Sequence, residues 1–455
     1  MMILTPTMTG IASPEPLQNA FKVKSAPHAG RSGSRPVNLT TALWHQWWQQ
    51  PSKSDQRALY IHIPFCRKRC SFCNFFENGT NPERISRYVS RLCEQLRIAA
   101  DTPFAQSQPF DTVYVGGGTP TDMQADEIAM LGAAISKFPL IKNAEVSLEG
   151  RLNGFDDDKW HSALDNGFNR FSFGVQSFDT HVRQAAGRFD DKDTLLSRLN
   201  ELSQHPSASI VIDLIFGLPG QTLDIWQQDL QAVIDSGVHG VDLYQLIGLG
   251  GTRIDRASEK GKILGTDESE FQADSQTRAQ MYAYGANLLE SNQWQRLSSC
   301  HWRRDNRERS LYNSLAKSGI EILPFGAGAG GSIHGHGVMN ARSLTDWHQA
   351  HSQPTDVIDG ATPTKVPGMA LSPNPSAELD AIFKRGLDGG TLQFSQLEAS
   401  LLQQLQPLFH AWQTNGLAQL NNHALTLTLA GRFWNVNMQT GLFEFLAENK
   451  SVNDK

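Results

Sequence analysis

Apolar residues recur along this chain in two alternating rhythms. Short strand-type runs occupy Leu59–Ile63, Thr112–Val115, Glu145–Leu148, Arg170–Gly174, Ile210–Phe216 and Val241–Leu246. Between them apolar positions fall at helical spacing, as in Ile85, Tyr88, Val89, Leu92 and Leu96. The same spacing links Ile128, Leu131, Ala134 and Ile135, and later Leu223, Trp226, Leu230 and Val233. Six strand signals with helices between them predict repeated βαβ units on a parallel sheet. The fold class is therefore α/β, and six units close naturally into a partial (β/α)6 barrel. Chemistry in such folds collects at the C-terminal strand ends.

The flanks read differently. Residues 1–57 form an N-terminal extension with Pro, Ser and Gly scattered through its first 36 residues. A short helix over Leu39–Gln50 carries Leu43, Trp44, Trp47 and Trp48. Large aromatics chiefly supply burial, so these rings are expected to pack the extension on the main domain rather than to line a site for a flat ligand. The core and its following segment span 58–340, with a further helix over 270–290 carrying Phe271, Met281, Tyr282 and Leu288–Leu289. Residues 341–376, rich in Ser, Thr and Pro, read as a connector. The stretch 377–455 reads as a small winged-helix-like domain, with a helix over Leu397–Trp412 and paired strands at Leu417–Gln419 and Leu425–Leu429. It shows no basic face for DNA, so a lid or packing role is expected.

Composition narrows the class. A chain of 455 residues predicts two or three domains, and its net charge of −6 gives no electrostatic case for nucleic acid. No run approaches the roughly 18 apolar residues of a membrane-spanning helix. No basic segment followed by an apolar one marks a secretory leader. Five cysteines, three of them clustered, point to a reducing compartment, and hence to the cytoplasm.

Those three are Cys66, Cys70 and Cys73, spaced C-x-x-x-C-x-x-C just beyond the first strand. Pro64 ends that strand because its nitrogen cannot extend a sheet ladder. The loop beyond can then turn three thiols around one object. Iron–sulfur clusters are held by cysteine thiolates, normally one per iron. Three thiols thus suit a [4Fe-4S] cluster with one iron left open, shielded by Phe65, Phe72, Phe75 and Phe76. Zinc is the competing occupant, but a structural zinc site wants four ligands. The nearest further candidate, His62, lies in the strand with no evident reason to converge.

Four more stretches fall at strand ends. Gly116-Gly117-Gly118-Thr119 lets backbone approach a ligand closely. Glu149 ends the third strand, Gln176 the fourth, and Asp213 interrupts an apolar fifth strand. A buried charge needs a partner, for which Arg188 is the candidate, unless both hold a ligand. Taken singly, these read as turn glycines, a cap, a satisfied polar residue and an ion pair. Further on, Cys300-His301-Trp302-Arg303-Arg304 with Arg307, Arg309, Tyr312 and Asn313 reads as a charged surface or as a carboxylate-binding set. His334 and His336 follow a glycine-rich loop and read as a solvated turn or as haem-iron ligands. Cys93 and Cys300 are not expected at the cluster.

The cysteine spacing, with Phe72 before the last cysteine, resembles the radical S-adenosylmethionine (SAM) signature. The wording Y-I-H-I-P-F-C resembles the branch holding oxygen-independent coproporphyrinogen oxidase and its haem-chaperone relatives. That resemblance implies that SAM chelates the open iron and that the reduced cluster cleaves it to a 5′-deoxyadenosyl radical. Carried over position by position, it implies that Tyr60, Phe72, Gly117 and Glu149 serve the SAM on the cluster. Gly118, Thr119, Gln176, Arg188 and Asp213 would serve a second SAM. Two departures set the chain apart from the oxidase: Cys73 is followed by Asn74-Phe75, and the sixth strand ends in Tyr244-Gln245-Leu246.

Across nearly the whole chain the wording is closest to the anaerobic haem-degrading radical SAM methyltransferase family, of the HutW/ChuW type. The matching parts are His28–Arg31, C-S-F-C-N-F-F, H-W-R-R with R-E-R-S-L-Y-N, F-G-A-G-A-G-G and A-G-R-F-W. That likeness implies opening of the haem ring without oxygen, with methyl transfer from SAM, release of iron and a linear tetrapyrrole product. It also implies an electron donor: a flavodoxin, a ferredoxin or an NADPH-fed reductase. The alternatives are a coproporphyrinogen-type decarboxylating oxidase and a non-catalytic haem chaperone of the same fold.

Overall fold

The structure, a computed structural model, describes residues 4–25, 33–73, 78–247, 273–351 and 368–453. Asn74, Phe75, Phe76, Phe271 and His28–Arg31 lie outside the described residues. The six expected strands form as β1 (Arg57–Ile63), β2 (Phe110–Gly117), β3 (Leu140–Gly150), β4 (Arg170–Gln176), β5 (Ser209–Phe216) and β6 (Gly240–Gln245). They lie in that order and pair in parallel. Three strands extend this sheet: β7 (Gln295–Arg296), β8 (His301–Arg303) and β9 (Glu321–Phe325). β8 returns antiparallel on β6 with β7 outside it, while β9 adds in parallel to the free edge of β1.

Each strand separates two environments. Leu59, Ile61, Ile63, Val113, Val115, Leu148, Phe171, Phe173, Ile212 and Leu243 are buried on one face and join a continuous apolar core. The alternate positions face the barrel interior, and they are polar: Tyr60, Tyr114, Glu149, Ser172, Asp213 and Asp242 among them. Among the crossover helices, Pro82–Ala100 starts on a side-chain cap, with Asn81 accepting the Arg84 N–H and proline in its first turn.

The interior is floored by ions. Arg170, at the start of β4, donates to Glu308 at 3.0 and 3.1 Å, and Ser209 donates to the same carboxylate at 2.8 Å. His301 places Nδ1 2.9 Å from Asp242 and Nε2 3.2 Å from Glu308. The protonated ring is thus ion-paired with both carboxylates. Although burial opposes it, the two carboxylates push the imidazole up to about 9. Gly240 is required here, since a Cβ would come 2.7 Å from Glu308 Cγ. Glu145 accepts the first N–H groups of the helix Leu311–Lys317 at 2.8 and 3.3 Å, so the floor also anchors the helix that crosses the open side of the barrel.

Several expectations change. H-W-R-R and its following arginines are a surface run only in part: His301 and Trp302 are buried in β8, whereas Arg304, Arg307 and Arg309 are exposed. Arg303 pairs with Gly240, Arg304 N–H reaches His239 O, and Arg309 reaches Asn143 O, all at the N-terminal strand ends. These arginines therefore stand away from the mouth. His334 and His336 flank the turn of a hairpin, Gly330–Ile333 with His336–Met339. His334 N–H donates to Glu321 and its ring contacts Trp47 O at 2.9 Å, while His336 packs on Trp47 at 4.4 Å. Glu321 pairs with Arg57 at the start of β1, so both histidines lie at the end opposite the cysteine loop. Haem ligation by either, with the mouth as the site, is not what the fold allows.

The extension holds more structure than its composition promises. Pro6–Thr9 and Pro16–Asn19 are short helices, and Trp412 and Trp434 donate their indole N–H groups to Met8 O and to Leu17 O, each at 2.9 Å. Trp44, Trp47 and Trp48 are buried on the helix Thr41–Gln49, as the packing reading required. The expected connector contributes the helix Leu344–His351 and the strand Met369–Leu371, which pairs with the hairpin. The C-terminal region has helices Ala377–Gly389 and Ala399–Thr414 and a three-stranded sheet, the arrangement of a winged helix, followed by an unanticipated helix Asn435–Asn453.

Replacing Glu308 with Ala leaves Arg170 without its ion-pair partner and His301 with Asp242 alone, and is expected to cost ~3–5 kcal/mol, read from the urea midpoint. A loss below ~1 kcal/mol would show that the floor does not depend on that carboxylate. His301 adds a pH signature: its contribution is complete below its ordinary pKa of about 6.5 and is lost as pH rises to about 9. Stability should fall across that window in the natural chain and not in His301→Gln.

Candidate active site

The cysteine loop sits at the barrel mouth because β1 delivers it there. Two short strands, Phe65–Cys66 and Asn78–Gly79, pair across it. Cys66 and Cys70 are buried and Cys73 is half-buried. Two donors reach the sulfurs: Thr119 Oγ1 lies 3.5 Å from Cys66 Sγ, and Arg151 Nη2 lies 3.2 Å from Cys70 Sγ. Burial pushes the free Cys66 thiol up. Metal ligation reverses that, because the ligand is the thiolate. Among the described residues no three His, Cys, Asp or Glu side chains are arranged to hold a single ion. Three thiols on one loop, two of them with a polar donor beside the sulfur, fit the thiolate set of an iron–sulfur cluster. Phe72 packs on Val182, Ile215, Leu218 and Leu246, fastening the loop to the ends of β5 and β6.

The glycine loop is locked to the cysteine loop. Gly118 N–H donates to Ile63 O at 2.9 Å and Thr119 N–H to Phe65 O at 2.7 Å. A Cβ on Gly118 would come 2.4 Å from Phe65 O, and one on Gly116 2.5 Å from Glu149 Oε2. Gly117, at φ 115°, lies against the His62 ring, which in turn contacts the Tyr60 hydroxyl at 2.8 Å. The glycines thus admit protein neighbours, and Gly118 and the buried Thr119 face the cysteine loop rather than open space. Burial holds His62 down to about 4, so its imidazole is neutral at pH 7.

Around the mouth, Glu149 accepts from the Gly117 N–H and the Tyr114 hydroxyl, while burial pushes its carboxyl up. Gln176 is 6% exposed at φ 75°, with Oε1 unpartnered among the described residues. A strained, incompletely satisfied residue at a strand end marks a site. Gly174, beside it, leaves room for Gln176 Nε2 and Arg188. Arg188 feels the charges of Cys70, Asp213 and Cys66, but among the described residues it forms no ion pair with Asp213, which leaves the alternative that both hold a ligand. Asp213 is instead 3.4 Å from Ser172 Oγ and level with Asp242 on β6, and burial with that second carboxylate pushes it up to about 7. A small cleft beside the cysteine loop is lined by Arg151, Gly174, Arg183, Arg188 and Phe189.

The structure therefore brings Tyr60, Gly117, Glu149, Gln176, Arg188 and Asp213 to one mouth with the three cysteines. Sequence reading missed Arg151, although it follows Glu149 by two residues. It also missed the stack of Tyr114 on Tyr312 at 4.7 Å, with Tyr60 at 6.1 Å from Tyr312, which closes the barrel's open side. Tyr114 alternates with buried valines on β2, and that rhythm was the available signal. Tyr312 had none.

Among the described residues no helix is long and apolar enough to cross a membrane. The Radical SAM superfamily domain matches residues 60–233. The anaerobilin synthase of Escherichia coli O157:H7 is 35% identical over 408 residues, covering 89% of this chain and 87% of that protein. The haem chaperone HemW of Synechocystis is 27% identical, covering 64% of this chain and 70% of its own length. Among solved structures, the coproporphyrinogen III oxidase HemN of Escherichia coli superposes with a TM-score of 0.70 at 20% identity, over 90% of this chain and 95% of that one. At that identity HemN speaks for the fold alone. With nearly its whole length matched, the chain belongs to the anaerobic haem-degrading family of radical SAM enzymes, within their coproporphyrinogen-oxidase-like branch.

Proposed function

We propose that this protein opens the porphyrin ring of haem without oxygen, transferring a methyl group from SAM and releasing iron and a linear tetrapyrrole. The observation that carries this reading is the likeness to anaerobilin synthase along 89% of the chain, since the cluster motif alone is common to the whole superfamily. The cofactors are a [4Fe-4S] cluster and SAM. When bound and reduced, the cluster supplies the electron that cleaves SAM to a carbon radical.

The chain's own residues do the rest. Cys66, Cys70 and Cys73 hold the cluster, and Arg151 and Thr119 donate toward the sulfurs. Tyr60, Phe72, Gly117 and Glu149 bind the SAM beside it. Gln176, Arg188 and Asp213 offer polar groups for a second SAM, whose wall Gly118 and Thr119 fix in place. Asp213, whose carboxyl is pushed up by burial and by Asp242, can hold or release a proton facing the chamber. The stacked, half-buried rings of Tyr114 and Tyr312 help to shield the interior from water, which radical chemistry requires. The electron donor is a flavodoxin, a ferredoxin or an NADPH-fed reductase, and the reducing setting is the cytoplasm.

The decisive experiment is anaerobic: reconstituted protein with haem, SAM and a reductant, followed by the Soret band and by tetrapyrrole mass. Loss of the band with a methylated linear product is expected. An intact band with haem bound would point to a chaperone, and carboxyl loss from coproporphyrinogen would point to the oxidase. Cys70→Ala is expected to abolish iron retention and SAM cleavage together, because two thiolates cannot hold the cluster. Retention of normal iron by that variant would remove the cluster assignment.

A further inference from the structure

A guanidinium stands against one of the three thiols. Arg151 comes just past the end of β3, two positions after Glu149, so the strand's period of two sends both side chains toward the mouth. Its Nη2 donates to Lys68 O at 2.9 Å and to Cys70 Sγ at 3.2 Å. Cys70 is buried, so salt and water screen the sulfur end of this contact poorly.

The backbone that presents Arg151 is fixed without help from its side chain. The buried Thr121 hydroxyl accepts the Arg151 N–H at 2.9 Å and donates to Arg151 O at 3.1 Å. Other cations flank the cysteine loop, but they are engaged elsewhere. Arg67 pairs with Asp122 at 2.6 Å, and Lys68 Nζ lies 4.1 Å over the Phe189 ring. Arg151 instead meets a carbonyl and a thiol of the loop itself.

We propose that Arg151 sets the reduction potential of the [4Fe-4S] cluster, acting through the Cys70 sulfur as a positioning residue for charge. This rests on the cluster reading and not on the identity of the substrate. Reduction moves one electron from the donor to the cluster and no proton. The added negative charge is shared by the thiolates, so a cation hydrogen-bonded to one of them favours the reduced form. Thr119 offers Cys66 a neutral hydroxyl at 3.5 Å, an aid of the same sense but without charge. Arg151 thereby lets a milder donor fill the cluster.

The test is a potentiometric titration of the full-length, cluster-reconstituted protein without SAM or haem. Dithionite and mediators supply the electron, and the electron paramagnetic resonance signal of the reduced cluster is the readout. Arg151→Gln removes the charge and is expected to make reduction about tenfold less favourable, a fall of ~59 mV for one electron. Arg151→Lys keeps the charge and should stay closer to the natural chain. Both should retain full iron, because Thr121 still holds the backbone. An unchanged potential in Arg151→Gln overturns the proposal, and an equal fall in both variants removes the role of charge. Iron loss in either variant would mark a structural role and overturn it as well. If the natural chain takes up no cluster, the cluster reading falls and the tuning with it. Failure to degrade haem leaves the inference standing, since no haem enters the measurement.

Discussion

Arg170, His301 and Glu308 meet, all three buried, beneath the barrel, and the position of much else follows from that meeting. A buried ion pair is weak testimony for stability, since apolar residues of equal volume often serve as well. Its effect here is geometric. Glu308 comes from the segment that returns after β8, and its partners come from β4, β5 and β8 itself. Any other register of that segment would strand charge in a low dielectric. The floor therefore fixes where Leu311–Lys317 begins, where Tyr312 stacks, and where β9 can join β1.

At the other end, the constraint is steric. Three glycines accept neighbours that no side chain would admit, and two backbone hydrogen bonds tie their loop to the cysteine loop. The groups expected to bind the sulfonium cofactor are thus held by the same backbone that presents the thiols. Polar interior, charged floor and rigid mouth together define a chamber whose chemistry faces one way.

All six core strands were legible because each is a compact apolar run, and the cysteines because their spacing is dense in a cysteine-poor chain. β9 was not: Glu321-Ile-Leu-Pro-Phe325 contains a proline, and its partner Arg57 lies 264 residues away. The charge string from His301 to Arg309 is surface at Arg304, Arg307 and Arg309, but one sequence does not show which of its charges meet inside. His301 and Glu308 are the buried members, and nothing local separates them from their neighbours. Likewise the histidine pair resembled ligands until a hairpin placed it at the far end. Strand ends and loop glycines are local facts, whereas partners in a buried network are not.

The two ends of the chain depend on each other. Met8 finds its indole donor, Trp412, 404 residues later. At ~5–20 residues per second of synthesis, the first segment waits roughly 20–80 seconds for that partner. The cysteine loop emerges early, while the contacts that join the extension to the C-terminal region form last. The nascent molecule therefore passes through a long interval with its thiols made and its two ends not yet joined, an order of assembly written into the topology.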